Sequence, residues 1–96
     1  MIIHLVWFKL KEDVSREEIA ELKANLQEMI PQIPQIIELA CGEDFSGRSR
    51  GFDFGLLVKF ASREDGQIYD KHPVHQAFIA KSKHFWREVM ALDFEA

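Results

Sequence analysis

The sequence lacks several features that would assign a chain of this size to a familiar class. It has one cysteine, Cys41, so no intrachain disulfide can form, and a reducing compartment is expected. Basic residues are in the minority, with 12 Lys and Arg against 16 Asp and Glu, which argues against a nucleic-acid-binding face. No apolar run approaches the length of a membrane span, and no signal-type segment follows Met1. We therefore expect a cytoplasmic protein with neither nucleic acid nor a membrane as partner.

What the chain has in quantity is apolar surface to bury. Hydrophobic residues make up 47% of the 96 residues, and eight of these are Phe and two are Trp. The length suits one domain over residues 1–96. A chain this short builds only a marginal core, so burial shared with a second copy would stabilise it.

Hydrophobic periodicity divides the chain into strands and helices. Ser15 followed by Glu18 is a capping box that predicts the start of the first helix, and Pro31 predicts its end. Ser62 predicts the start of a second helical segment, within which Pro73 begins a new helix. The predicted strands span residues 2–10, 35–43, 52–60 and 89–95.

This order, β-α-β-β-α-β, is typical of a ferredoxin-like α+β fold, with an antiparallel sheet and its helices on one face. The other face of the sheet has no element left to cover it, yet it carries large apolar side chains. Exposing that much contiguous apolar surface is unusual for a monomer. We therefore expect a homodimer in which two sheets close face to face into an α+β barrel.

The segment from Tyr69 to His75 gathers a phenol and two imidazoles at the junction of the two helical patterns. Pro73 disfavours a helix through His72 and suits the first turn of a new one. His75 would lie in that turn, where unpaired N–H groups and the helix dipole disfavour positive charge. A neutral imidazole could accept a proton. The alternative is that Tyr69 and His75 fill core positions and His72 faces solvent.

Three other features bear on function. His4 interrupts an apolar face of the first strand, so it is either a satisfied core residue or part of a pocket. Cys41 has no basic neighbour to activate its thiol and is interpreted as a small buried hydrophobe. His72 and His75 could share a metal ion, but no third ligand is evident, so we predict neither a metal site nor a cofactor.

Several short motifs together carry a family resemblance. They are His4 in the first strand, Ile30-Pro31, residues 42–46, Tyr69-x-x-His72-Pro73-x-His75, Phe85-Trp86 and residues 92–94. On these motifs the chain resembles the stress-responsive A/B barrel domain (Dabb) family nearly from end to end. The resemblance implies a homodimeric α+β barrel with a small pocket between sheet and helices.

The resemblance also suggests roles for individual residues. In one family member, the plant olivetolic acid cyclase, the positions matching Tyr69 and His75 serve an aldol condensation and the position matching His4 lines the pocket. Phe54 stands where that cyclase has a further pocket histidine, and the helix-one tyrosine of the cyclase is missing here. We take His75 and Tyr69 as candidate catalytic residues. The candidate ligand-binding residues are His4, His72, Phe54 and Phe78.

Three functions compete on this basis. The first is a binding or stress-protective dimer that holds a small apolar molecule in the pocket. The alternative is a cofactor-independent enzyme with polyketide-cyclase-like aldol or proton-transfer chemistry, in which His75 is the base and Tyr69 the donor to a carbonyl oxygen. Cofactor-free monooxygenases on dimeric barrels are a third possibility that no residue distinguishes.

Overall fold

A computed structural model describes all residues, 1–96, as an antiparallel sheet with helices packed on one face. The strands are β1 (Ile2–Leu10), β2 (Glu38–Glu43), β3 (Phe54–Phe60) and β4 (Trp86–Glu95), in the spatial order β2-β3-β1-β4. The helices are α1 (Arg16–Gln27), α2 (Arg63–Lys71) and α3 (Pro73–Ser82), with 3₁₀ turns at Ile30–Gln32 and Lys83–Phe85. No helix combines the length and the apolar character that crossing a bilayer requires. The predicted element order and ferredoxin-like architecture are confirmed.

The strand boundaries differ from the predicted ones where turns and register decide them. The second strand begins at residue 38 because Pro34 lacks an N–H and the N–H of Ile36 bonds to the oxygen of Ile33 instead. The third begins at residue 54, since the Asp53 carboxylate accepts from the N–H of Leu10 at 2.8 Å. The fourth begins three residues early, at Trp86, because β1 offers partners as far as Leu10.

Alternation along the strands divides the sheet into a covered and an uncovered face. The even-numbered residues of β1 and β3 face the helices, and among them Phe54 and Val58 are almost fully buried. The capping box at Ser15 starts α1, which buries Leu22 and Leu26 completely against that face. The core therefore lies between the sheet and α1, with α2 and α3 extending it.

The opposite face of the sheet carries apolar side chains that no helix covers. Strand pairing places Leu57, Leu5 and Leu92 in one row across β3, β1 and β4. On β4, Met90, Leu92 and Phe94 are 50%, 52% and 44% exposed. The expected uncovered apolar face is therefore present.

His72 separates α2 from α3. Its backbone is extended (φ −62°, ψ 134°), as expected for a residue before proline, and Pro73 occupies the first turn of α3. The Nδ1 atom of His72 accepts a hydrogen bond from the N–H of Val74 at 3.1 Å. His72 thus caps α3 with its own side chain, and the predicted break at Pro73 places His75 in the first turn of the new helix.

Candidate functional site

Tyr69 is the centre of an aromatic cluster formed by four different elements. Its side chain is 1% exposed. Its ring centroid lies 4.2 Å from that of His75 on α3, 5.0 Å from that of Phe60 on β3 and 5.9 Å from that of His4 on β1. The fold therefore brings together both candidate catalytic residues and the histidine of the first strand.

His4 is held by a carboxylate from the far end of the chain. The antiparallel register of β1 and β4 sets His4 opposite Asp93, and the His4 Nδ1 and Asp93 Oδ1 atoms are 2.6 Å apart. A carboxylate on one ring nitrogen orients the imidazole and leaves the other nitrogen, Nε2, for a further partner. Asp93 was not a candidate from the sequence. The signal that could have found it is the pairing of the first and last strands in this topology.

His75 is oriented by the main chain at the end of α2. Its Nδ1 lies 3.1 Å from the carbonyl oxygen of Asp70. Because a carbonyl oxygen only accepts, Nδ1 carries the proton and donates it, so Nε2 of the neutral ring is an acceptor. Burial lowers the pKa of His75 from its ordinary value, and the nearby Asp70 opposes this shift. The balance favours neutral imidazole, the form that can take up a proton.

Tyr69 is constrained to the opposite role. Burial raises the pKa of the Tyr69 phenol well above its ordinary value, and the charge of Asp70 adds to the effect. A phenol that keeps its proton can donate a hydrogen bond but cannot act as a base. Neutral His75 and protonated Tyr69 therefore form an acceptor and donor pair whose rings are in contact, with their planes tilted by 35°.

A cleft of about 180 Å³ opens beside this cluster, between the sheet and α2. Its wall contains both members of the His4–Asp93 pair, while Tyr69 and His75 pack behind His4. The lining residues are Ile2, His4, Phe60, Arg63, Gly66, Gln67, Asp70 and Asp93. A pocket between sheet and helices was expected, and this cleft is the one that the aromatic cluster adjoins.

The remaining candidate ligand-binding residues lie elsewhere. His72 uses Nδ1 to cap α3 and borders a separate groove on the outer side of α2. Phe54 packs edge-on against Phe8 and borders a cleft near the β2–β3 loop. Phe78 borders a third cleft, between α1 and α3. These three residues were candidates together, but the fold distributes them over different elements, so each borders a cleft of its own.

Cys41 and the histidines offer little to a metal ion. No group of three or more His, Cys, Asp or Glu side chains is arranged to hold one. The Cys41 thiol is partly buried, and burial raises its pKa, so the reactive thiolate is disfavoured.

Comparison with known proteins gives consistent results over the whole chain. A model of the family described as Stress responsive A/B Barrel Domain matches residues 2–96. An uncharacterized protein of Streptomyces coelicolor is 33% identical over 91 residues, which cover 92% of this chain and 89% of that protein. DABB1 of Arabidopsis thaliana, a stress-response A/B barrel domain-containing protein, is 27% identical over 100 residues, covering 100% of this chain. This chain spans 47% of the length of DABB1.

Solved structures share the fold at lower identity. The hydroxynitrile lyase of Passiflora edulis has a TM-score of 0.88 and 20% identity, covering 97% of this chain and 90% of that one. A dimeric ferredoxin-like protein of unknown function from Thermobifida fusca has a TM-score of 0.87 and 21% identity, covering 99% of this chain and 90% of that one. These likenesses confirm the ferredoxin-like fold class.

The environment of His75 makes its titration a direct test of the site. We expect its midpoint in an NMR titration to lie below the reference value of about 6.5, because burial disfavours the imidazolium. His75→Gln assigns the resonance by removing it. The unfolded chain then binds the proton more readily than the folded chain, so His75 lowers the free energy of unfolding as the pH falls below about 6.5. A midpoint at or above that value would contradict the assignment.

Proposed function

The chain belongs to the stress-responsive A/B barrel domain family, and on that premise we propose that it binds a small, largely apolar molecule in the cleft beside His4. The observation that carries the proposal is the His4–Asp93 pair in the cleft wall, with a 2.6 Å contact between Nδ1 and Oδ1. Ile2 and Phe60 supply apolar walls. The other wall residues are mostly polar or charged, so the cleft offers a ligand two apolar side chains and several groups that can fix its orientation.

The size of the cleft limits the ligand. Pockets for drug-sized molecules measure roughly 300–1,000 Å³, whereas this cleft measures about 180 Å³. A dry cavity of about 150 Å³ holds benzene. The part of the ligand that the cleft can hold is therefore about one ring with a short substituent.

Gly66 offers a way to close the cleft without harming the fold. A Cβ built at this helical position would lie 3.6 Å from Cδ2 of Phe60, an ordinary contact. We expect Gly66→Leu to abolish retention of any small molecule carried through purification, as measured by mass spectrometry. Both Gly66→Leu and the matched Gly66→Ala should melt at or above the wild-type temperature, since replacing a helical glycine stabilises by up to about 1 kcal/mol.

Gly66→Ala is the control, because one methyl group leaves most of the cleft open. It should retain the same molecule as the wild type. Equal retention by Gly66→Leu would refute binding in this cleft.

A second candidate function is proton transfer at a carbon next to a carbonyl group. It is favoured by the contact between the imidazole of His75, which can accept a proton, and the protonated phenol of Tyr69, with the ring centroids 4.2 Å apart. One structural neighbour is described as a hydroxynitrile lyase, so the same fold supports an enzyme in that protein. In this proposal the substrate reaches past His4 to the aromatic cluster, where Nε2 of His75 takes the proton and the Tyr69 phenol donates a hydrogen bond to the developing enolate oxygen.

Isotope exchange tests this second function without knowledge of the natural substrate. Acetophenone, a single ring with an acidic methyl ketone, should exchange its methyl hydrogens for deuterium faster with the protein in D₂O than in buffer. His75→Gln should lower that rate by about 10²–10⁴-fold, the usual contribution of a general base. His84→Gln, which changes an exposed histidine, should leave it unchanged. Exchange at the buffer rate with wild-type protein would exclude acetophenone-type carbon acids as substrates.

We also propose that the functional unit is a homodimer closed by the uncovered face of the sheet. The proposal rests on the apolar row of Leu57, Leu5 and Leu92 and on the exposure of Met90 and Phe94. The Thermobifida fusca neighbour is described as dimeric. An isologous contact between two copies of this face would bury all of these side chains.

A charge on the uncovered face should break the dimer. Leu92→Asp places a carboxylate among apolar groups that the dimer buries. An unpaired buried charge destabilises the dimer by about 3–5 kcal/mol. Light scattering should then report a monomer or unfolded protein. Ala91→Asp adds the same charge to the opposite, exposed side of β4 and should leave the dimer intact. A stable wild-type monomer at micromolar concentration would contradict the proposal.

A further inference from the structure

The charges around the His4 cleft are unevenly paired. Arg63 is the only basic side chain in the wall, and its Nε and Nη2 atoms both lie 3.3 Å from Oε1 of Glu95. Its charge is therefore already matched by a carboxylate at the rim. The two other charged residues in the wall, Asp70 and Asp93, are both acidic.

Asp70 has a free carboxylate. Only its main-chain oxygen accepts hydrogen bonds, one from Nδ1 of His75 at 3.1 Å and one from Nε2 of Gln76 at 2.5 Å. These bonds end α2 and orient His75, and they leave the side chain of Asp70 at the cleft wall without a partner inside the chain. A carboxylate in this position can accept hydrogen bonds from a ligand.

Asp93 adds to the negative electrostatic potential that Asp70 creates in the cleft. It contacts His4, which is uncharged unless protonated, so the pair as a whole stays negative when the imidazole is neutral. A cleft lined by one sign of charge with apolar walls concentrates ligands of the opposite sign. The negative potential here acts on a space whose apolar walls are Ile2 and Phe60.

We infer that the cleft selects a small molecule with a cationic ammonium group on an apolar body. The body packs between Ile2 and Phe60, and the ammonium group lies toward the carboxylate of Asp70. This inference rests on the proposed binding function and names the chemical class of its ligand. Ligands of the same size with a carboxylate group are disfavoured. Arg63 is paired with Glu95, and the other charged side chains in the wall, Asp70 and Asp93, are negative.

Three single-ring probes of nearly equal size test this selectivity. Benzylammonium, benzyl alcohol and benzoate are titrated into the 96-residue chain, and dissociation constants are read from backbone amide shifts at the cleft. Benzylammonium should bind tightest and benzoate weakest. Added salt should narrow the difference, because a partly exposed charge is screened. Gly66→Leu should remove the shifts from all three probes, which locates binding in this cleft.

A matched pair of variants assigns the selectivity to one side chain. Asp70→Asn keeps the main-chain oxygen and the shape of the side chain but removes its charge. It should weaken benzylammonium binding by about two- to fivefold, the range that a solvent-exposed ion pair provides. Glu64→Gln removes an equal charge from the same helix at a residue that lies outside the cleft wall. It should leave the affinity unchanged.

The outcomes separate the inference from the function on which it rests. Benzyl alcohol or benzoate binding as tightly as benzylammonium overturns the charge selectivity while the binding site stands. So does an Asp70→Asn variant with wild-type affinity for benzylammonium. If none of the three probes shifts the amide resonances at the cleft, the binding site itself is overturned. It is also overturned if the shifts persist in Gly66→Leu.

Discussion

The antiparallel pairing of β1 with β4 is the constraint on which the candidate site depends. It sets Ile2 through Leu10 against Trp86 through Glu95 and leaves one register in which His4 faces Asp93. Side chains alternate between the two faces of a sheet and β1 is also paired with β3, so a slip of β4 by one residue would move Asp93 to the uncovered face and Leu92 to the covered one. The same register collects Leu5 and Leu92 on that uncovered face. One ladder of hydrogen bonds thus determines both the polar pair of the cleft and the apolar surface on the opposite side.

The junction between α2 and α3 provides the second half of the site. Pro73 ends one helix and starts the next, and His72 caps the new helix through its own imidazole. The last turn of α2 then presents the carbonyl of Asp70 to His75, which fixes the tautomer of that ring. The four-residue spacing between Tyr69 and Pro73 is therefore a geometric requirement. It puts a phenol at the end of one helix in contact with an imidazole in the first turn of another.

The regular structure could be predicted from the sequence because local rules determine it. The capping box at Ser15, the alternation in β1 and the proline at residue 73 each act over a few residues. Asp93 could not be found that way, because its role depends on a cross-strand register. His72 was a candidate ligand-binding residue, yet its Nδ1 atom accepts a local hydrogen bond from the N–H of Val74, two residues along the chain. The neutral form of His75 was predicted chiefly from the helix dipole, whereas in the structure burial is the largest cause of its lowered pKa.

The hydrogen bond between His4 and Asp93 joins residues that are 89 positions apart in the chain. Closing a loop of that length is entropically unfavourable, and topologies dominated by such distant pairings fold slowly. The β2–β3 hairpin and the helices involve near neighbours, so they can form while β4 is still unpaired. In a chain that folds in this order, the cleft is completed in the last step, when the two terminal strands meet. Occupation of the cleft would then slow the separation of these strands, so a bound molecule would act on the lifetime of the folded state.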